Sequence, residues 1–275
     1  LKISSIKNTV NKDLKIEALA NNKSVDVNFT KINAKDSLHV FVPNMEFDSI
    51  QMKFKATNYE KSYTVKSRTL KTIDSLQLSF NKNGSLDFTD KIELISTTPI
   101  IRFDKTKMNL IDKDTVQVPF ELINDPVHLK MDINFEKKEN QNYSFEMLPG
   151  AITDFYNKTN DSLVGRFSTK AYTDYGNLTL NISNTKTFPL IVELLDEKEN
   201  IISFQILENN QPIEFALLKP SKYIVRIIVD ENKNSKYDTG NYLLKKQPER
   251  VYLFEKLIDV RANWEVNETL NLPND

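Results

Sequence analysis

The chain has no cysteine, which excludes disulfides, thiolate nucleophiles and zinc–thiolate sites. Only 5 of its 275 residues are glycine, few for a protein that cradles phosphates in glycine-rich loops. The two histidines, His39 and His128, lie far apart with no companion serine or aspartate pattern. Neither Gly-x-Ser-x-Gly nor His-Glu-x-x-His occurs, so nucleophilic and zinc-hydrolase chemistry have no support. Charge shows no excess, with 37 basic against 38 acidic residues. A nucleic-acid binder would show a basic surplus or stripe. No apolar run approaches the roughly 20 residues of a membrane helix; the longest, such as Ile224 to Val229 around Arg226, have strand length. Heptads, fixed-period repeats and low-complexity tracts are also missing.

What the chain does have is alternation of period two. Val25, Val27 and Phe29 fall on one face of a strand expected over residues 23–29. His39 to Val42 and Ile50 to Lys55 follow. Residues 67–74 are polar and charged and read as a linker. Leu76, Leu78 and Phe80 then alternate with polar residues, and Asn83-Gly84 marks a turn. Further strands are expected at Lys91–Ile95, Ile100–Phe103, Val116–Phe120, around Met131–Phe135, Tyr143–Met147 and Leu163–Phe167. One helical turn is expected over residues 148–156. Beyond Tyr172, Leu178, Leu180 and Ile182 alternate, and Leu190–Leu195 is nearly continuous apolar, as a central strand would be. Strands at Ile202–Ile206, Tyr223–Val229, Arg250–Phe254 and Ile258–Trp264 complete the chain. The spacing predicts an all-β protein of tandem antiparallel β-sandwiches. A partial β domain covers 1–67, an Ig-like β-sandwich 73–170, and a C-terminal sandwich of the prealbumin or carboxypeptidase-regulatory sort 172–268.

One constellation resembles a metal site. Asp230, Asn232, Asn234 and Asp238 stand at spacing 1, 3, 5, 9 directly after an apolar strand, with the Lys236 carbonyl available between them. Side chains so spaced let a tight loop wrap a hard cation such as calcium. An EF-hand would carry glycine at position 6 and a bidentate glutamate at position 12; here those places hold Ser235 and Asn241. The competing reading is an Asx-rich turn whose side chains cap their own backbone. Arg226, in the apolar strand, is read as an outer-face residue paired with a carboxylate such as Asp259 or Glu249. By strand parity Arg261 and Trp264 point to opposite faces. That makes Trp264 a core or edge anchor rather than a sugar platform.

Several short motifs occur in order: Leu218 to Arg226, the Asp230–Asn241 loop, Gln247-Pro248-Glu249 and Arg261 to Trp264. Together they resemble the C-terminal part of the Ig-like-domain lipoproteins of Bacteroidota. Residues 73–170, with Leu148-Pro149-Gly150 and Asp161-Ser162-Leu163, resemble the Ig-like domain that precedes it, and Tyr172 to Gly176 fits the junction. The resemblance implies an outer-membrane or cell-surface lipoprotein built of β-sandwiches, with no known catalytic site; beyond the calcium that the loop spacing suggests, no cofactor is expected. It implies an anchor upstream of Leu1 and an accessory role in an outer-membrane protein complex, for assembly or uptake; a periplasmic location stays open. The triplet Asp-Ser/Thr-aliphatic resembles the O-glycosylation acceptor of Bacteroidota, which nominates Ser37, Ser49, Ser75, Thr115 and Ser162. A polar turn residue before a strand gives the same triplet. The rival function is a glycan- or ligand-binding module, which an exposed cluster of Tyr237, Tyr242 and Trp264 would favour. A broad apolar patch on one sandwich face would favour a protein partner.

Overall fold

The computed structural model is built almost wholly of β-strands and describes residues 2–4, 14–32, 37–56, 59–66, 75–242 and 245–273. The expected linker over 67–74 lies outside them. Helical structure among the described residues is limited to two 3₁₀ turns, Lys105–Lys107 and Tyr172–Asp174. The chain is all-β and its strands form sandwiches whose ladders are antiparallel except two, Leu163–Ser168 with Gly84–Ser85 and Gly176–Ser183 with Glu265–Asn271, which are parallel.

Contacts divide the chain into two units. The first comprises residues 1–86 and 90–169, and it holds two separate apolar clusters. In the earlier cluster, Ala18, Ala20, Ile50, Met52 and Phe54 meet Leu38 and Val40. The four-stranded sheet there runs in the order Lys23–Val25, Lys15–Ala20, Ser49–Ala56, Tyr59–Lys66. In the later cluster, Ile92, Leu94, Met131 and Ile133 meet Leu110, Tyr143, Phe145 and Phe167 across two further four-stranded sheets. Each of these strands alternates buried with more exposed residues, as a half-buried strand must. Phe80 packs edge-to-face on both Phe145 and Phe167, with ring centroids 6.0 and 5.6 Å apart.

The second unit comprises residues 87–89 and 170–275. Its four-stranded sheet runs in the order Ile201–Leu207, Leu190–Leu195, Ser221–Val229, Val251–Val260. Its three-stranded sheet runs in the order Ile213–Leu218, Gly176–Ser183, Glu265–Asn271. Leu178, Leu180, Ile182 and Phe215 of the smaller sheet interleave with Val192, Leu194, Val225 and Ile227 of the larger one. Leu190–Leu195 is buried at every position, Glu193 included, as its nearly continuous apolar run predicts for a central strand. Gly176 is required where the chain enters: a Cβ there would lie 2.3 Å from the Arg261 carbonyl oxygen.

Four expectations are corrected. Residues 148–156 form no helical turn. Gly150 has φ +74° and Asn157 +59°, and Ile152–Asp154 between them is a strand. The buried Asp154 carboxylate then accepts the Tyr156 and Lys158 amides at 2.9 and 2.7 Å. Residues 23–29 are two strands, Lys23–Val25 and Asn28–Ile32, in different sheets. Val25, Val27 and Phe29 still pack on one cluster, because the chain crosses between sheets around it. Val116 and Gln117 follow a tight turn capped by Asp112, and Pro119 has no N–H to donate, so the strand starts at Phe120. At the C-terminal end Val251–Val260 is one strand, residues 261–264 are a turn with Asn263 at φ +58°, and Glu265–Asn271 is a strand the periodicity did not disclose.

Candidate functional site

The Ser221–Val229 strand delivers Asp230 into the loop. Its last ladder positions hold the entry rigidly: Val229 donates to the Arg250 carbonyl at 3.0 Å and Asp230 to the Pro189 carbonyl at 3.2 Å. Asp230 is only 1% exposed. Its carboxylate accepts the Asn234 amide at 3.1 Å and the Ser235 amide at 2.8 Å. Asn232 accepts from the Asn234 amide at 3.1 Å, and Asn234 from the Lys236 amide at 2.9 Å. Lys233 and Ser235 adopt positive φ, 59° and 60°, to let these successive Asx turns form. The Asn232 and Asn234 side-chain amides both donate to one oxygen of Asp238, the latter at 2.7 Å. Asp230, Asn232, Asn234 and Asp238 are therefore brought together, tied by their own hydrogen bonds. Lys236 enters through its amide. No group of three or more His, Cys, Asp or Glu side chains suited to a metal occurs among the described residues.

Glu249 is the member that sequence spacing missed, eleven residues beyond Asp238. It is 5% exposed. Its carboxylate accepts the Glu231 amide at 3.0 Å and the Asp238 amide at 2.9 Å, while its own amide donates to the Asp238 carbonyl at 3.1 Å. It clasps both arms of the loop. Its signal was the Gln247-Pro248-Glu249 motif, and the sequence placed Glu249 beside Arg226 rather than in the loop.

A second feature lies on the outward face of the four-stranded sheet. The ladder register sets Ile206, Ile191, Ile228 and Val251 side by side, and next to them Phe204, Glu193, Arg226 and Leu253. Their chain neighbours Val192, Leu194, Val225 and Ile227 are core, so both rows face away from it. On the two outer strands Phe204 is 57% exposed, and Ile201, Ile202, Val251, Leu253 and Leu257 are exposed as well, whereas Ile191, Ile228 and Glu193 on the central strands are buried. At the centre Arg226 Nε donates to Glu193 Oε2 at 2.5 Å. Glu193, in the adjacent strand, is thus the partner of Arg226. Asp259 instead takes Arg261, at 2.8 Å, and Glu249 is occupied by the loop.

Arg261 and Trp264 lie together, because they sit in a turn rather than a strand. The guanidinium stands 4.9 Å from the Trp264 ring centroid. Trp264 is 53% exposed and Tyr242 95%. Tyr237 and Tyr242 belong to the loop before Val251, and Trp264 follows Val260 at the other end of a ten-residue strand. At about 3.3 Å per residue that separates them by roughly 30 Å, so the three do not form one platform. Of the histidines, His39 stacks on Phe41 at 4.5 Å and His128 bonds Asp125 through Nδ1 at 2.7 Å within a turn. Asp104 and Asp196 are held below the usual carboxylate range, by bonds from the Thr106 hydroxyl and amide and from the Asn200 side chain and amide respectively. Of the acceptor candidates, Ser37 is buried and Ser49 half-buried, which leaves Ser75, Thr115 and Ser162 exposed. Asp36 and Asp74 of two triplets lie outside the described residues.

No family model matches the chain, and no curated protein matches its sequence. Among solved structures, it is similar to the major pilin subunit BcpA of Bacillus cereus, at 11% identity and TM-score 0.24 over 93% of each chain. It is similar to the Bacillus anthracis TIE protein, at 11% identity and TM-score 0.24, over 74% of this chain and 41% of that one. Drosophila OTK extracellular domains 3–5 match at 12% identity and TM-score 0.22, over 97% and 91%. Scores of this size do not bear on function.

Proposed function

We propose that the chain is a non-catalytic β-sandwich protein of the bacterial surface, of the Bacteroidota Ig-like lipoprotein kind, that serves as an accessory subunit of an outer-membrane protein complex. The observation that carries this reading is the outward face of the four-stranded sheet in the second unit. Two of its rows, read across four strands, are apolar except for one internally neutralised ion pair. Its exposed apolar residues gather on the two outer strands, Ile201, Ile202 and Phe204 on one and Val251, Leu253 and Leu257 on the other, either side of a buried centre; clusters of this kind, unlike singly scattered apolar residues, mark protein contacts. The separation of Trp264 from Tyr237 and Tyr242 weighs against the glycan-platform alternative. No helix among the described residues is long and apolar enough to cross a membrane, so in this reading attachment is through an anchor outside the chain. Calcium in the Asp230–Asp238 loop belongs to the same proposal. The loop's own hydrogen bonds satisfy those groups without an ion, and one melting comparison separates the two readings.

The test is affinity purification of the tagged full-length protein from its native membrane in mild detergent. A stoichiometric β-barrel partner, lost when Phe204 and Leu253 are both changed to glutamate, is the expected result. A protein that elutes alone would remove the accessory-subunit reading.

A further inference from the structure

The strand Ile201–Leu207 closes one edge of the four-stranded sheet. Among the described residues its ladder runs to Leu190–Leu195 on one side and to no strand on the other. Open edges template pairing with other chains, and folded proteins blunt them with charge or proline. This chain follows that practice elsewhere. The other edge strands of five or more residues among the described residues carry in turn Lys31, Lys61, Glu121, Glu214, Lys256 and Glu268. Ile201–Leu207 carries no charged side chain and no proline. Its single irregularity is a register shift that leaves Ile202 without a partner in the Leu190–Leu195 ladder and bends only that end of the edge, so that Ser203 to Leu207 stays regular. Gln205 donates to the Glu214 carbonyl at 2.6 Å, which ties the edge to the facing sheet and keeps it ordered.

The edge also has an internal symmetry. Ile202, Ser203, Phe204, Gln205 and Ile206 read apolar, polar, apolar, polar, apolar in both directions. If a second copy pairs antiparallel about Phe204, Ile202 stands opposite Ile206, Ser203 opposite Gln205, and Phe204 opposite Phe204. Directly opposed side chains share a face and are the pairs that stabilise a ladder. Apolar thus meets apolar and polar meets polar at every position, and the outward faces of two four-stranded sheets run together.

We propose that Ile201–Leu207 is a homotypic docking edge, at which a second copy of this chain adds by antiparallel strand pairing centred on Phe204. The inference does not depend on which protein meets the outward face. Because the chain has no cysteine, Phe204→Cys introduces a single thiol. Opposed Cα atoms in such a ladder lie about 4.5–5.5 Å apart, within disulfide reach. Mild oxidation of the full chain is expected to give a covalent dimer with Phe204→Cys and none with Lys256→Cys on the opposite edge. The unmodified chain is expected to sediment at twice the chain mass. Phe204→Lys, at an exposed position and melting like the unmodified chain, is expected to sediment as a monomer. An unmodified chain that is monomeric, a dimer indifferent to Phe204→Lys, or equal cross-linking at both edges would overturn the inference. A monomer that still co-purifies with a membrane partner would overturn it while leaving the accessory-subunit reading in place.

Discussion

Glu249 is where the loop is most open to attack by a single substitution. Its two carboxylate oxygens take the Glu231 and Asp238 amides at 3.0 and 2.9 Å, from a side chain that is buried. Glu249→Ala leaves both donors facing a cavity. A hydrogen bond to a charged group contributes about 1.5–3 kcal/mol. The two share one acceptor group and are not additive, so the loss should be about 3–4 kcal/mol. Glu249→Gln keeps one acceptor oxygen but turns an amide N–H toward a backbone N–H, and should cost about 2 kcal/mol. Arg250 and Glu231 pair only loosely, 3.9 Å apart and with the Glu231 side chain mostly in solvent, so Glu231→Ala, which keeps the backbone amide, should change stability by less than about 0.5 kcal/mol. Urea denaturation of the three variants, followed by tyrosine fluorescence, reads the order directly. If Glu249→Ala unfolds at the same midpoint as Glu231→Ala, the loop is not held by Glu249 and the clasp described above is wrong.

If the loop binds calcium, adding it should raise the melting temperature, and Asp230→Ala and Asp238→Ala should both abolish that rise. Identical melting in calcium and in chelator would leave the Asx-turn network as the whole account. Glu193→Ala should destabilise by about 1–2 kcal/mol by stranding a half-buried Arg226, whereas the double change Glu193→Leu with Arg226→Leu should be close to neutral; equal denaturant midpoints for the two would contradict the pairing. Burial, helped by the Asp87 carboxylate, pushes the Tyr223 hydroxyl up to about 12. A folded value above the unfolded value of about 10 means its contribution is intact below pH 10 and is lost as pH rises through 12. That contribution is at most roughly 2–3 kcal/mol. Tyr223→Phe should flatten the stability loss between pH 10 and 12, and an unchanged slope would show that another group sets it.

Period-two alternation carried most of the strands because one face of each is buried: Leu178, Leu180 and Ile182 all point into the core. It failed where the burial pattern and the backbone part company. Glu265–Asn271 lies at a sheet edge with only Leu270 buried, so its composition gives no apolar stripe. Val25, Val27 and Phe29 alternate across a strand break, because a chain turning around a cluster keeps its apolar residues inward whether or not the ladder continues. Spacing within residues 230–238 disclosed the local part of the loop. Glu249 was hidden because its role is made by a strand pairing that returns the chain after eleven residues. The outward face was hidden for a related reason: rows such as Phe204, Glu193, Arg226 and Leu253 exist only once the register of four strands is known.

The parallel pairing of Gly176–Ser183 with Glu265–Asn271 has a mechanical meaning. Seven consecutive positions, from Asn177 opposite Glu265 to Ser183 opposite Asn271, form that ladder. The first and last strands of the second unit are therefore neighbours running the same way, and the polypeptide enters at one end of the sandwich and leaves at the other. A pull on the two ends acts along the ladder. Every hydrogen bond in it is loaded at once in shear, instead of being peeled open one at a time. Such a unit resists tension applied between its two ends far better than a hairpin whose ends lie together.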